Sequence, residues 1–401
     1  MRIWIVNPFD DIPGEGTPQR YRTLCAVLAQ RGHEVIWWSS RWSHRRKQNR
    51  DQPTLGSESY SLRLIDAPAY SHNVSWARVR NHRQFARQLQ VAGDEQIAAG
   101  YAPDLVLFSW PPMGTATAAF HWRERCGCRV TIDLMDAWPD NFLMLVPKLP
   151  GVRRLLRGLL QPWFRRATEV CQLVDAASAQ SQAFADFVRQ YGGPDGVHVC
   201  YLGASTQGTH YVDRPLGGDL RILYLGAMGS AYDLETLLYA ISQLRSENWS
   251  VRLDIAGEGE RQALLKVLCD ELQLNECVTF HGYLQGQPLN DLLAASDVGV
   301  IPMLPDSLVA VPYKAGDYLG AGLPVINSLP GELKSLLESA KCGRFYQVGD
   351  AKSLANTLRP YAIDRQLARR ERPAAKKLFA EHFDRAKTYP RWADWLERQV
   401  S

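Results

Sequence analysis

A chain of 401 residues, 46% hydrophobic and 22% charged, has room for two or three domains with sizeable cores and does not have a disordered composition. Its 46 Lys and Arg against 42 Asp and Glu leave a formal charge of only +4, too little for a general nucleic-acid reading. No apolar run reaches the ~18 residues of a membrane span, and the chain opens on a strand, so no signal peptide is expected. The 8 cysteines are scattered, and the close pair Cys126 and Cys128 lacks zinc-ligand spacing, so buried thiols in a reducing cytoplasm are expected.

Arg2 to Asn7 reads as a short buried parallel strand closed by Asn-Pro. A loop with Gly14 and Gly16 follows, then Thr17 as a cap and Pro18 in the first turn of a helix to about Arg31. Gly32 ends that helix, and His33 to Ser40 is the next strand. This is a Rossmann-type opening, but Gly14-Glu-Gly16-Thr-Pro-Gln19 breaks the dinucleotide fingerprint, which disfavours an NAD enzyme. The two glycines still allow close approach of a phosphate or substrate.

From Arg41 to about Ala102 the pattern loosens, beginning with the basic run Arg41 to Arg50. Strands are clear at 104–110 and 129–134, with a helix over 115–125 between them. Asp136 and Trp138 directly follow a buried strand, at the carboxyl edge where α/β ligand crevices lie. The segment 151–166 sets Arg153, Arg154, Arg157, Arg165 and Arg166 among leucines and aromatics. It is either an amphipathic stretch on an anionic membrane face or a surface helix with solvated arginines. Strands at 176–181 and 197–202 close this part.

Residues 203–219 have linker composition. Strands at 221–226, 251–256, 278–282, 298–303, 323–327 and 343–347 then alternate with helices. The stretch 374–399 is helical and carries Trp392 and Trp395. The expected architecture is α/β, two Rossmann-like domains facing one another across a cleft. The first is expected at 1–204 and the second at 205–373, with 374–401 packing back toward the first.

The most informative passage runs from Val311 to Ser328. A short helix carries Lys314 and Asp317 on one face and runs into Gly320 and Gly322, where Pro324 bars continuation. A helix opening after a strand presents free N–H groups and a positive dipole end, an anion site to which Lys314 adds charge. Asp317 can accept from a sugar or ribose hydroxyl. The plainer alternative is an ordinary αβ unit with a solvated lysine and aspartate.

Several ordered passages resemble the nucleotide-binding half of GT-B glycosyltransferases, in particular the retaining family 4 enzymes. They are Tyr224-Leu-Gly226-Ala-Met228-Gly229, Leu253-Asp-Ile-Ala-Gly257-Glu-Gly259-Glu260, Val278-Thr-Phe280-His-Gly282-Tyr283, Leu292 through Asp297 to Pro302, and the Lys314/Asp317/Gly322-x-Pro324 element. Gln30-Arg-Gly32-His33-Glu-Val35 is similar to the family's amino-terminal signature. Asp136-Ala-Trp138-Pro139 resembles that of a branch making bacterial surface polysaccharides.

The resemblance implies a retaining transfer, the acceptor on the first domain and a nucleotide-sugar, a UDP-sugar favoured, on the second. Donor contacts would come from Gly14, Gly16, Gly226, Met228, Gly257, Gly259 and Tyr283, and from Leu308, Val311, Pro312 and Tyr313. Two departures stand out: the family's first Glu falls on Val309, and its usual diphosphate-holding Arg and Lys fall on Ala227 and Tyr232.

On chemical grounds, Lys314 and helix amino ends stabilise a leaving diphosphate. Its phosphate oxygen can take the acceptor proton, and Asp136 can position or deprotonate the acceptor. No metal or other cofactor is expected. The acceptor would be a saccharide, most simply a lipid-linked one in polysaccharide synthesis, reached by a cytoplasmic protein with peripheral contact at the inner membrane face. A sugar-nucleotide 2-epimerase and a catalytically weak sugar-nucleotide-binding protein are the alternatives.

Overall fold

The computed structural model describes residues 1–16, 19–51, 59–144, 146, 150–205, 218–304 and 309–400. It divides into two compact units, one of Met1–Cys200 with Tyr389–Ser401, the other of Tyr201–Thr388. Residues 374–388 therefore group with the second unit and the final segment with the first.

The first unit is built on a parallel sheet of 7 strands, in the order Ser61–Ile65, Glu34–Ser40, Arg2–Val6, Leu105–Trp110, Arg129–Leu134, Ala176–Ala179, His198–Val199. The central strands are near-continuous apolar runs because helices cover both faces. Trp4 anchors one face: its ring meets Trp38 and Trp122 edge-on, at centroid distances of 5.3 and 4.9 Å. Gly93, in the helix Trp76–Ala98, makes room for this cluster, since a Cβ there would lie 2.2 Å from the Trp122 ring. On the other face Tyr21, Trp37, Tyr389 and Trp392 share a core.

That second core contains a charge. Arg20 and Asp133 are fully buried and paired, with Nε to Oδ2 at 2.7 Å and Nη2 to Oδ1 at 2.8 Å. Nη1 of Arg20 donates to the Cys200 carbonyl at 2.6 Å, while Tyr21 Oη and Ser178 Oγ donate to the Asp133 carboxylate. The Trp392 ring lies 4.0 Å from the guanidinium carbon.

The second unit has a parallel sheet of 6 strands, ordered Val278–Gly282, Val251–Ala256, Leu220–Leu225, Val298–Ile301, Val325–Asn327, Gly343–Phe345. Both sheets thus start in the middle, wind outward one way, return and wind the other. This is the doubly wound order, which places ligand sites beyond the carboxyl ends near the reversal. Among the described residues no helix is long and apolar enough to cross a membrane, and all 8 cysteines are free thiols.

Where the pattern loosens, the described residues 41–51 and 59–102 form defined elements. Ser61–Ile65 forms the sheet edge, Trp42–Ser43 pairs with Gln48–Asn49, and the helix Trp76–Ala98 packs against Thr115–Cys126. Pro162, an interruption in the 151–166 segment, sits in the first turn of a second helix, Gln161–Leu173, that follows Pro150–Leu159.

Candidate active site

The helix Tyr313–Gly320 opens on Pro312, an extended cap that offers no side-chain acceptor. Lys314, in its first turn, is buried, and its Nζ has no hydrogen-bond partner among the described residues. Instead the amine lies 4.2 Å from the centre of the Tyr224 ring and 3.9 Å from that of Tyr232. Burial pushes its pKa down to about 7, against the opposing pull of Asp317. Asp317 is pushed up to about 6 by burial, although Arg385 and Lys314 favour its charged form. Aromatic faces partly compensate a desolvated ammonium, but a cation with no acceptor in reach is a costly thing to bury.

The surrounding backbone fits around this amine. Gly226, directly after Leu220–Leu225, has φ +123°, and a Cβ there would stand 2.9 Å from Lys314 Nζ. Gly257, after Val251–Ala256, has φ +144°, and a Cβ would meet the Gly226 carbonyl at 2.0 Å. Only glycine satisfies both demands. The two turns are tied together: Gly226 N–H donates to Ala256 O, Gly257 N–H to Gly282 O, and Met228 N–H to Glu258 O. Gly259 backs directly onto the Met228 backbone. The ends of the first three strands of this sheet thus form one backbone platform beside Lys314.

Other expected donor residues fall differently. The Met228 side chain is fully buried in the core of the unit, so it offers a ligand no surface. Tyr283 is 66% exposed. Val311 and Pro312 lead into the helix, Tyr313 is exposed at its start, and Leu308 lies outside the described residues. Val309 is exposed.

Sequence reasoning named Tyr224 and Tyr232 without foreseeing that their rings meet the Lys314 amine, and it did not single out Tyr318. Tyr224 donates to Ala227 O at 2.6 Å. Tyr318 threads under the sheet, its Oη accepting from Leu225 N–H at 2.7 Å, over a Gly299 whose Cβ would strike the ring. Tyr232, at a position where the family usually has a cation, supplies the nearer face for the cation that is present. The spacing from Lys314 to its own helix could not reveal partners this far upstream.

In the first unit, the loop bearing Gly14 (φ +87°) and Gly16 is held by the basic run. Arg50 is buried, pairs with Glu15 at 3.0 Å and donates to the Asp10 carbonyl at 2.7 Å. Arg45 pairs with Asp11 at 2.6 Å, Arg46 donates to the Glu15 carbonyl, and Arg41 pairs with Asp66. The run is therefore engaged within its own unit. Thr17 and Pro18 lie outside the described residues; Gln19 holds the cap position and accepts from Asp11 N–H at 3.0 Å.

Asp136 follows Arg129–Leu134 as expected. Its Oδ1 accepts from Ala137 N–H and Asn141 Nδ2, its Oδ2 from Trp138 Nε1 at 3.0 Å. Burial pushes the carboxyl pKa up, against these hydrogen bonds and the nearby Arg78. The Arg78 guanidinium lies 5.1 Å from the Trp138 ring centre. Beside Trp138 opens a cavity of about 230 Å³, lined by Val79, His82, Arg83, Met113, Gly114, Thr117, Trp138, Trp163 and Arg166. Among the described residues no group of three or more His, Cys, Asp or Glu is placed to hold a metal ion.

Two family descriptions match the chain: "Glycosyltransferase Family 4" over residues 15–207 and "Glycosyl transferases group 1" over residues 219–362. WcaL of Salmonella typhimurium, named as a colanic acid biosynthesis glycosyltransferase, is 22% identical over 196 residues, 48% of this chain and 48% of that protein. The chain spans about half, or less, of the length of the curated relatives it matches.

Among solved structures, sucrose-phosphate synthase from Thermosynechococcus elongatus superposes with a TM-score of 0.72 at 16% identity, covering 100% of this chain and 98% of that one. HepE of Anabaena in complex with UDP gives 0.68 at 15% identity, covering 99% and 100%. These likenesses bear on the fold.

Proposed function

We propose, for a chain that belongs to the family 4 glycosyltransferases and has the GT-B fold, that it moves a sugar from a nucleotide-sugar to a saccharide acceptor with retention. The observation that carries this reading is the buried amine of Lys314, without a hydrogen-bond partner beside a backbone platform at the carboxyl ends of a doubly wound sheet. A diphosphate placed there supplies the anion that the site lacks. The leaving group then forms against a fixed cation, which needs no reorganisation as charge develops.

Asp317, one turn along the helix, takes a hydroxyl of the sugar or ribose. Departure of the diphosphate leaves an oxocarbenium-like centre. The acceptor hydroxyl attacks the same face, its proton passing to the departing phosphate oxygen, so neither a protein nucleophile nor a metal has to enter. Asp136 orients the acceptor.

A UDP-sugar is the favoured donor, supported by the presence of UDP in the HepE complex. Polysaccharide assembly is the favoured setting, supported by the name of the WcaL relative. Peripheral membrane contact rests on the helix Pro150–Leu159: Val152, Leu155 and Leu159 are exposed on it, and Arg153, Arg154 and Arg157 lie between them. Such a surface suits an anionic interface.

Thermal shift and calorimetry against UDP-, GDP-, ADP- and dTDP-sugars test the donor reading, with a selective rise in melting temperature for one base expected. No response to any of the four, in a protein that folds, overturns it. Anionic liposomes test the interface, with binding that weakens as salt rises expected.

A further inference from the structure

The cavity beside Trp138 is lined by residues of the first unit alone. At about 230 Å³ it is smaller than the ~300–1,000 Å³ that encloses a whole drug-sized ligand, so it takes one group of a larger molecule. Its chemistry is one-sided: Arg83 and Arg166 line it, and among the described residues no carboxylate does. Arg166 is braced by Glu169 and Thr117, both at 2.8 Å. Arg83, exposed at the rim, has no ion-pair partner among the described residues. His82 is kept neutral by burial and by Arg78 and His44, which push its pKa down to about 3.

The rest of the wall is apolar. The indoles of Trp138 and Trp163 lie 15° from parallel at a centroid distance of 6.3 Å, and Val79 and Met113 continue the surface. An anion-seeking rim over an apolar wall fits an amphiphile with a phosphate head. The elements that form the wall also lead to exposed apolar surface. Trp163 and Arg166 belong to the helix that directly follows Pro150–Leu159 with its exposed Val152, Leu155 and Leu159. Val79, His82 and Arg83 belong to the helix that starts at Trp76, itself 85% exposed.

We propose that this cavity binds the phosphate and the first apolar carbons of a lipid phosphate, the membrane-borne end of the acceptor. The phosphate sits between Arg83 and Arg166, and the chain leaves over the two indoles. The proposal rests on the glycosyltransferase reading for the word acceptor, though not for the binding itself.

Calorimetry on the full-length protein with farnesyl diphosphate, inorganic pyrophosphate, farnesol and a sugar 1-phosphate tests it. Farnesyl diphosphate is expected to bind at least tenfold tighter than the other three. Arg83→Ser, which removes the rim charge, and Thr117→Phe, which fills the cavity from an exposed position, are each expected to weaken it tenfold or more. Farnesyl diphosphate binding that is absent, or unchanged in both variants, overturns the proposal. Tighter binding of the sugar 1-phosphate overturns it in favour of a soluble acceptor. UDP titrated into the same wild-type sample separates the two readings. UDP bound without farnesyl diphosphate sinks the cavity alone, and the reverse sinks the donor site alone.

Discussion

Arg20 in the first unit and Lys314 in the second are both buried cations, and they are treated in opposite ways. Arg20 of the first unit finds a bidentate carboxylate, a carbonyl and an indole face, and its carboxylate partner takes further hydrogen bonds from Tyr21 and Ser178. Lys314 of the second finds two aromatic faces and, among the described residues, no acceptor. A fully answered charge is architecture, because nothing remains for a ligand to supply. An unanswered one is a standing cost that a ligand can relieve, and such costs gather where proteins work.

The largest effect should come from breaking the answered charge. Arg20→Met leaves the buried Asp133 carboxylate without its cation, a loss of about 3–5 kcal/mol. Chemical denaturation should show the first unit failing while any donor affinity that survives stays near wild type. Lys314→Met should do the opposite. Donor affinity measured by calorimetry should fall by a charge-assisted contact, ~1.5–3 kcal/mol, roughly ten- to hundredfold. The melting temperature should hold or rise, since a desolvated amine has been removed. A Lys314→Met protein that melts lower and binds donor normally would reverse the comparison.

Acidity sharpens the contrast. The folded state lowers the pKa of Lys314 from 10.5 to about 7, so between those values the unfolded chain carries more protons, and stability should rise with pH. Donor affinity should fall over the same range, because the diphosphate needs the ammonium. Asp317, raised from 3.8 to about 6, contributes stability at low pH that is lost as pH rises through about 6. Melting curves and donor titrations from pH 6 to 10 should therefore run in opposite directions, and Lys314→Met should flatten both.

The smallest effect concerns Asp136, whose oxygens are occupied by local donors. Asp136→Ala should cost a cap-sized ~1 kcal/mol of stability and lower turnover, with donor affinity measured without acceptor unchanged. Equal losses in turnover and donor affinity would move this residue out of the acceptor role.

Much of this was legible in the sequence because buried parallel strands are continuous apolar runs. The exceptions have physical reasons. Ser61–Ile65 is an edge strand with alternating burial, and only part of it reads as core. The helix Trp76–Ala98 buries Asn81, Phe85, Leu89 and Gly93 along one stripe, so two of the residues that make the contact are not apolar. The pairing of the run Arg41 to Arg50 is not legible, because its partners Asp11, Glu15 and Asp66 lie elsewhere in sequence. Lys314 and Asp317 stand out only beside the other ordered passages, because their helix alone reads equally as an ordinary αβ unit. The tyrosines that surround the amine do not stand out as its partners, since the link from Tyr224 to Lys314 exists only once the strand and the helix have packed.

The grouping of Tyr389–Ser401 with the first unit has a consequence for synthesis. Trp392 lies under Arg20, and Arg31 reaches Asp394, Glu397 and the Pro390 carbonyl. In topological terms the second unit is an insertion, threaded between Cys200 and Tyr389 of its host. On the ribosome, where domains generally fold from the amino end, the inserted unit has all of its residues first. The host waits, its Arg20 lacking a cover, until Tyr389–Ser401 has been made.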